Sequence, residues 1–251
     1  MSPRIMFAIT ARVLAQLRRD HRTMAMLLLV PCLLMSLLWW MFENVAGVFF
    51  DRFAPALLAI FPFFIMFLVT SVTTLRERSS GTLERLLAMP TGKIDFLGGY
   101  AIAFGLVAAL QSVLAVGTAV YLLDLDVAGP VWMLTVVAVV DAVLGSTLGL
   151  FVSAFARTEF QAVQFMPAVV VPQILLCGLF VPREDLPAVL REISDLLPLS
   201  YAVDAMDAVA ETTSDAFAGV DPAVWGDLGI IAAFAIGSLV LGSATLRRRT
   251  A

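Results

Sequence analysis

Few side chains in this 251-residue chain have the chemistry for catalysis or metal binding, and the sequence does not cluster them. There is one histidine, His21, and there are two cysteines, Cys32 and Cys177, both inside apolar runs. One imidazole cannot assemble a metal cluster or serve a Ser-His-Asp array. The two cysteines read as small buried hydrophobes, not as a disulfide or a zinc site. A phosphate-cradling loop needs a glycine upstream of Gly-Lys-Ser/Thr. Here Gly92-Lys93 is followed by Ile94 and lacks that glycine. The chain is therefore expected to hold no cofactor and to hydrolyse no ATP itself. Asp141 lies deep within an apolar run, where an acid is costly and often functional. It reads either as a group on a substrate or proton path, or as a packing residue hydrogen-bonded to Gln111 or Ser112. Gln164 and Gln173, with Gln161, read as polar contacts first and substrate ligands second.

The densest polar stretch is RERSSGTLERLLAMPTGK, from Arg76 to Lys93. Thr82 can cap a helix, and Glu84 then falls in the first turn, where the helix dipole favours an anion. Leu83, Leu86 and Leu87 share one face at i, i+3, i+4. Pro90 ends the helix within about two turns. Such a helix is too short to be stable alone and needs a surface to dock against. Its mixed Arg and Glu suit ion pairing with a protein better than with lipid headgroups.

The elements around these groups are those of a membrane protein. The chain is 61% hydrophobic and 14% charged, with a mean hydropathy of +0.95. A soluble domain is about 45–50% apolar and about 25% charged. Six runs have the ~20 apolar residues that a spanning helix needs. They are 24–42, 54–74, 96–123, 131–155, 161–180 and 228–246. The first is not expected to be a cleaved leader, since its run is long and no small-residue cleavage site follows. Thirteen of the sixteen Lys and Arg fall on one side of these spans, leaving Arg52, Arg183 and Arg191 on the other. By the positive-inside rule both termini are then cytoplasmic. The segment 181–227 carries ten acids and faces outward. A net charge of −4 gives no basic surface for nucleic acid.

Residues 3–20 repeat Ile5, Ile9, Val13 and Leu17 among arginines, which predicts an amphipathic helix in the inner interface. Gly145 and Gly149 form a G-x-x-x-G that lets another helix approach closely. In 181–227, Leu186, Val189, Leu190, Ile193 and Leu197 recur at helical spacing, and Val203, Met206 and Val209 follow. Two short helices on or dipping into the outer leaflet are expected there. The fold class is thus all-α and integral to the membrane: six spans, an interfacial N-terminal helix, and short extracellular helices between spans five and six. One transmembrane domain, 1–251, is expected.

The 76–93 stretch resembles the first cytoplasmic loop of the ABC type-2 exporter permeases, an E-R-x-x-G-T-L-E-x-L-L-x-x-P run. Glu77, Arg78, Gly81, Thr82, Leu83, Glu84, Leu86, Leu87 and Pro90 are in register, and Ser79 stands where the family often has a second Glu. A second block, Cys177 to Met206, is similar to the family's fifth-span exit through Gly178, Phe180, Pro182, Leu186, Pro187, Pro198, Leu199 and Tyr201. The overall pattern is most similar to the drug-resistance branch. The resemblance implies a plasma-membrane efflux subunit for a drug, lipid or glycolipid. It implies that two permease chains, identical or close homologues, form the channel within membrane lipid. A cytoplasmic ATP-binding subunit would bind ATP and Mg and contact Arg76, Glu77, Arg78, Gly81, Thr82, Leu83, Glu84, Arg85, Leu86 and Leu87. Gly178, Phe180, Pro182, Leu186, Pro187, Pro198 and Tyr201 would form the extracellular gate region. Asp141, Gln111, Gln164 and Gln173 form a candidate intramembrane polar site. Two alternatives compete. One is an ion-driven secondary transporter, against which stand a single intramembrane acid and the lack of a detectable inverted repeat. The other is a membrane receptor or enzyme using the acidic outer loop.

Overall fold

The computed structural model describes residues 3–43, 48–79, 93–156, 158–211 and 221–245, and among them it is helical without strands. In chain order the helices are α1 (Pro3–Arg19), α2 (His21–Phe42), α3 (Val48–Ser79), α4 (Lys93–Tyr121), α5 (Val131–Ser153) and α6 (Glu159–Leu176). A 3-10 turn (Arg183–Asp185), α7 (Ala188–Asp195), α8 (Pro198–Glu211) and α9 (Pro222–Thr245) follow. Six of them, α2, α3, α4, α5, α6 and α9, are long and apolar enough to cross a membrane.

Local chemistry sets most boundaries. Asp20 breaks the chain between α1 and α2 and caps α2, accepting from Thr23 N at 3.1 Å and Thr23 Oγ1 at 2.7 Å. Thr158 caps α6 in the same way, accepting from Gln161 N at 3.1 Å. Gly178, at φ +102°, occupies a backbone region that side chains avoid and turns the chain away from the end of α6. The fifth span therefore stops at Leu176, short of the expected 180. The sixth begins earlier than expected, because Asp221 accepts from Ala223 N at 2.8 Å and Pro222 takes the first helical position. Gly226 and Asp227 interrupt the apolar run but not the helix.

The bundle is built around α3 and α5. A methyl group on Gly145 would lie 2.4 Å from Phe63 O, and one on Gly149 would lie 2.5 Å from Phe67 O. The G-x-x-x-G is thus spent on a backbone-close crossing within this chain. One core cluster joins α3, α5, α8 and α9 around Phe63, Phe67, Leu134 and Met206. A second joins α1, α2, α3 and α4 around Val13, Leu27, Met66 and Phe104. Val203, Met206 and Val209 of α8 point into the first cluster, not at the leaflet surface. In α7, by contrast, Val189 and Ile193 remain exposed.

The connections collect at two ends. At one, the basic end, α1 meets the close of α3 and the start of α4, and the close of α3 meets the start of α6. At the other, the acidic end, the start of α3 meets the α4–α5 loop through Asp126 N donating to Asp51 Oδ1 at 3.2 Å. Ala128 N also donates to Ala210 O of α8 at 2.9 Å.

Candidate functional site

At the basic end, α3 runs to Ser79, directly before the segment that carries the G-T-L-E-x-L-L pattern. Gly81, Thr82, Leu83, Glu84, Arg85, Leu86 and Leu87 lie outside the described residues. Arg78 is in the last turn of α3. Glu77 is only 4% exposed and faces inward. Arg12 of α1 donates from Nη2 to its two carboxylate oxygens at 3.2 and 3.0 Å, and to Tyr100 Oη of α4 at 2.7 Å. A carboxylate taken out of water needs such a partner. Glu77 therefore clamps α1 and α4 onto the end of α3. Arg76 points outward and pairs with Glu159 in the first turn of α6 at 3.2 Å.

The approach of α1 to α4 is set by small residues. Thr10 Oγ1 lies 3.0 Å from both Met6 O and Gly99 O. A methyl group on Gly99 would fall 2.8 Å from Ile9 Cβ. The arginine in α1 reaches the interior because the helix carrying it lies this close.

In the middle of the bundle, Asp141 and Gln111 are fully buried, and their side-chain oxygens and the Gln111 amide nitrogen make no hydrogen bond. The expected pairing of Asp141 with Gln111 or Ser112 does not form. Ser112 donates instead to Ala138 O at 3.0 Å. Gln164, on α6, is exposed. Gln173 is buried and accepts from Leu199 N at 3.4 Å while donating to Val169 O at 3.1 Å. It satisfies an orphan N–H in the first turn of α8.

The acidic end is organised by Arg183, which the motif search passed over. Its Nε donates to Ser194 Oγ at 3.0 Å, and its two Nη groups bond Asp204 and Asp195. The guanidinium also sits 5.1 Å from the Tyr201 ring centroid. Tyr201 Oη donates to Asp195 O at 2.7 Å, and Ser194 Oγ to Leu176 O at 2.8 Å. Of the sequence-derived gate set, Gly178 makes the turn into this cluster and Tyr201 stacks in it. Pro182 precedes the 3-10 turn and Leu186 follows it. Pro187 and Pro198 set the starts of α7 and α8. Phe180 is exposed and apart from the network. Arg183 was detectable as one of three basic residues stranded among acids.

Charge is balanced unevenly here. Burial raises Asp204, and Arg183 opposes that rise. Asp207 is pushed up to about 7 by burial and by Glu211 and Asp204, with Arg52 pulling the other way. Among the described residues no three His, Cys, Asp or Glu side chains come together as metal ligands.

A family model described as ABC-2 type transporter matches residues 5–210. ABC transporter G family member 20 of Dictyostelium discoideum is 26% identical over 165 residues, covering 66% of this chain and 23% of that protein. The probable multidrug ABC transporter permease YbhR of Escherichia coli (strain K12) is 27% identical over 150 residues, 60% of this chain and 41% of its own length. The inner membrane transport permease YhhJ of the same strain is 28% identical over 144 residues, 56% of this chain and 38% of its own. The chain thus spans less than half the length of these relatives. The family match covers both α3 with its basic-end clamp and the Arg183 cluster. This multi-pass membrane protein belongs to the ABC-2 type transporter family.

Proposed function

We propose that the chain is the membrane-spanning subunit of an ATP-driven exporter that moves a hydrophobic or amphipathic substrate out of the cell. The observation that carries this reading is the end of α3. One continuous helix, Val48–Ser79, crosses the bundle and is tied to α1 and α4 by Glu77 and to α6 by Arg76. The 80–92 segment with Gly81, Thr82, Glu84 and the leucines follows at once. A push on that segment by an ATPase subunit would then be passed to three other helices through fixed contacts. Glu77 works in this scheme as a positioning residue behind the docking face. Gly81, Thr82, Leu83, Glu84, Arg85, Leu86 and Leu87, with Arg76 and Arg78, are the proposed contact. ATP and Mg would be bound by the partner, since the sequence has no phosphate loop.

The remaining assignments follow the same reading. The basic end faces the cytoplasm of a cell membrane and holds both termini, with α1 in the inner interface. A second copy or close homologue completes the channel. Support for that partner comes from α6, which leaves Gln164, Phe160 and Leu175 exposed on a span. An uncovered amide is costly against lipid, and another chain would shelter it. The Arg183 cluster with Gly178, Pro182, Leu186, Pro187, Pro198 and Tyr201 holds the extracellular gate region.

The test is reconstitution with a cognate ATPase subunit. Glu84→Lys and Gly81→Pro should leave the chain inserted but abolish co-purification and substrate-stimulated ATPase activity. Wild-type values for both would sink the docking assignment. A screen of drugs, lipids and glycolipids in the same assay would name the cargo. A second reading, ion-driven transport, is favoured by the unpartnered carboxylate of Asp141 alone. Asp141→Asn abolishing transport driven by an ion gradient, with no ATPase present, would establish it.

A further inference from the structure

Between α1, α2 and α4, on the outside of the bundle at the basic end, runs a groove of about 330 Å³. Its walls are apolar: Leu14 from α1, Met24 from α2, and Leu106 and Leu110 from α4. Leu106 and Leu110 are about half exposed, so the groove is open sideways. Its one charged member is Arg18. The span in α2 begins at His21, so Arg18 precedes the apolar stretch and Met24 lies one turn inside it. Leu106 and Leu110 lie well inside the Gly98–Tyr121 span, so at about 1.5 Å per residue the groove runs from the headgroup level at Arg18 toward the middle of the acyl layer.

The surrounding charge is net positive, three arginines against the single carboxylate of Asp20. Arg18, Arg19 and Arg22 are exposed, and none forms an ion pair among the described residues. The nearby Asp20 is occupied with Thr23. Other exposed spans have apolar faces, but this groove combines an acyl-sized trough with a net cationic rim. An oily peptide would fit the trough and leave the rim unmatched. A zwitterionic lipid would bring a cation of its own against it.

We infer that this groove is a binding site for one anionic phospholipid, with the phosphate on Arg18 and an acyl chain along Leu106 and Leu110. The bound lipid would fill the seam where α1 and α2 meet α4. It would thereby brace the helix that carries Arg12. This inference stands apart from the export reading and needs no ATPase.

Native mass spectrometry of the full chain in detergent tests it. The chain is titrated with phosphatidylglycerol or with phosphatidylcholine of the same acyl chains. One phosphatidylglycerol should be retained about fivefold or more over phosphatidylcholine, since each basic residue near an anionic headgroup supplies about that factor. Arg18→Gln should collapse the preference. Leu110→Trp should remove retention of both lipids by filling the trough, and Arg4→Gln should change neither. Equal retention of the two lipids, or a preference that survives Arg18→Gln, would overturn the site. Displacement of the lipid by millimolar inorganic phosphate would also overturn it, by showing that free phosphate is the ligand. If Leu110→Trp does not fold, Arg18→Gln against Arg4→Gln decides alone.

Discussion

Both ends of the bundle are tied by an arginine, yet the two ties close very different lengths of chain. Arg12 reaches Glu77 across 65 residues and Tyr100 across 88. Arg183 reaches Ser194, Asp195 and Asp204 across 11, 12 and 21. The first tie exists only when α1, α3 and α4 are already side by side. The second can form within one connecting segment. They differ in setting too. Glu77 is buried and takes the Arg12 guanidinium from another helix, whereas Arg183 gathers two acids, a serine and an aromatic ring from its own connecting segment. The basic end therefore reports closure of the bundle, and the acidic end is a local knot that tolerates loss.

The sharpest way to break that contrast is Arg12→Ala. It removes the guanidinium that joins Glu77 of α3 to Tyr100 of α4 and should cost about 3 kcal/mol. Thermal denaturation of the detergent-solubilised chain would read it. A cost below about 1 kcal/mol would show that the long-range tie matters no more than the local one.

Next is the response to pH, which should differ in sign between the ends. Asp207 holds its proton up to about pH 7 in the fold, above its ordinary range. The native state thus binds a proton that the unfolded chain has lost, and stability rises as pH falls from about 7 toward about 4. Asp20 is lowered by its hydrogen bonds from Thr23, so its contribution is present above the ordinary carboxylate range and lost as pH falls below it. Moderate acidification should therefore tighten the acidic end and leave the α1–α2 corner unchanged. Asp207→Asn should flatten the rise in melting temperature between about pH 8 and about pH 5. A slope that persists in that variant would assign the effect elsewhere.

A smaller loss, about 1 kcal/mol, is expected for Asp204→Asn, because Asp195, Ser194 and Tyr201 still engage Arg183. A loss as large as that of Arg12→Ala would erase the distinction between the ends. Smallest of all is Arg76→Gln. Its pair with Glu159 is exposed on both sides, and its removal should change stability by less than about 0.5 kcal/mol in the same denaturation assay.

The same contrast explains what could be read from the chain alone. The amphipathic repeats at Val189, Leu190 and Ile193 and at Val203, Met206 and Val209 are short-range features, and α7 and α8 stand over them. The turn at Gly178 falls inside the run read as span five, and only the fold shows it. The G-x-x-x-G announced a close approach, but Phe63 and Phe67 as its targets lie some eighty residues away in sequence. Gln173 read as a polar contact, yet only the fold puts Leu199 N within its reach. For Asp141, hydropathy leaves open a substrate or proton path and a packing role with Gln111 or Ser112 as partners. Helix rotation about its own axis decides such pairs, and a window carries no information on rotation.

By itself, the sequence determined the solvent, the number of spans and the sign of charge at each end. These follow from how many apolar side chains occur in a row and where the arginines interrupt them, which are local properties. The tertiary structure decided that Arg12 reaches both Glu77 and Tyr100, that Gly145 and Gly149 are used within the chain, and that Asp141 is left without a hydrogen bond. Each of these depends on which helices become neighbours and which faces they turn to one another. Six oily helices of similar composition are nearly interchangeable to a hydropathy scale. They become distinct only through the shape and polarity of their contacts.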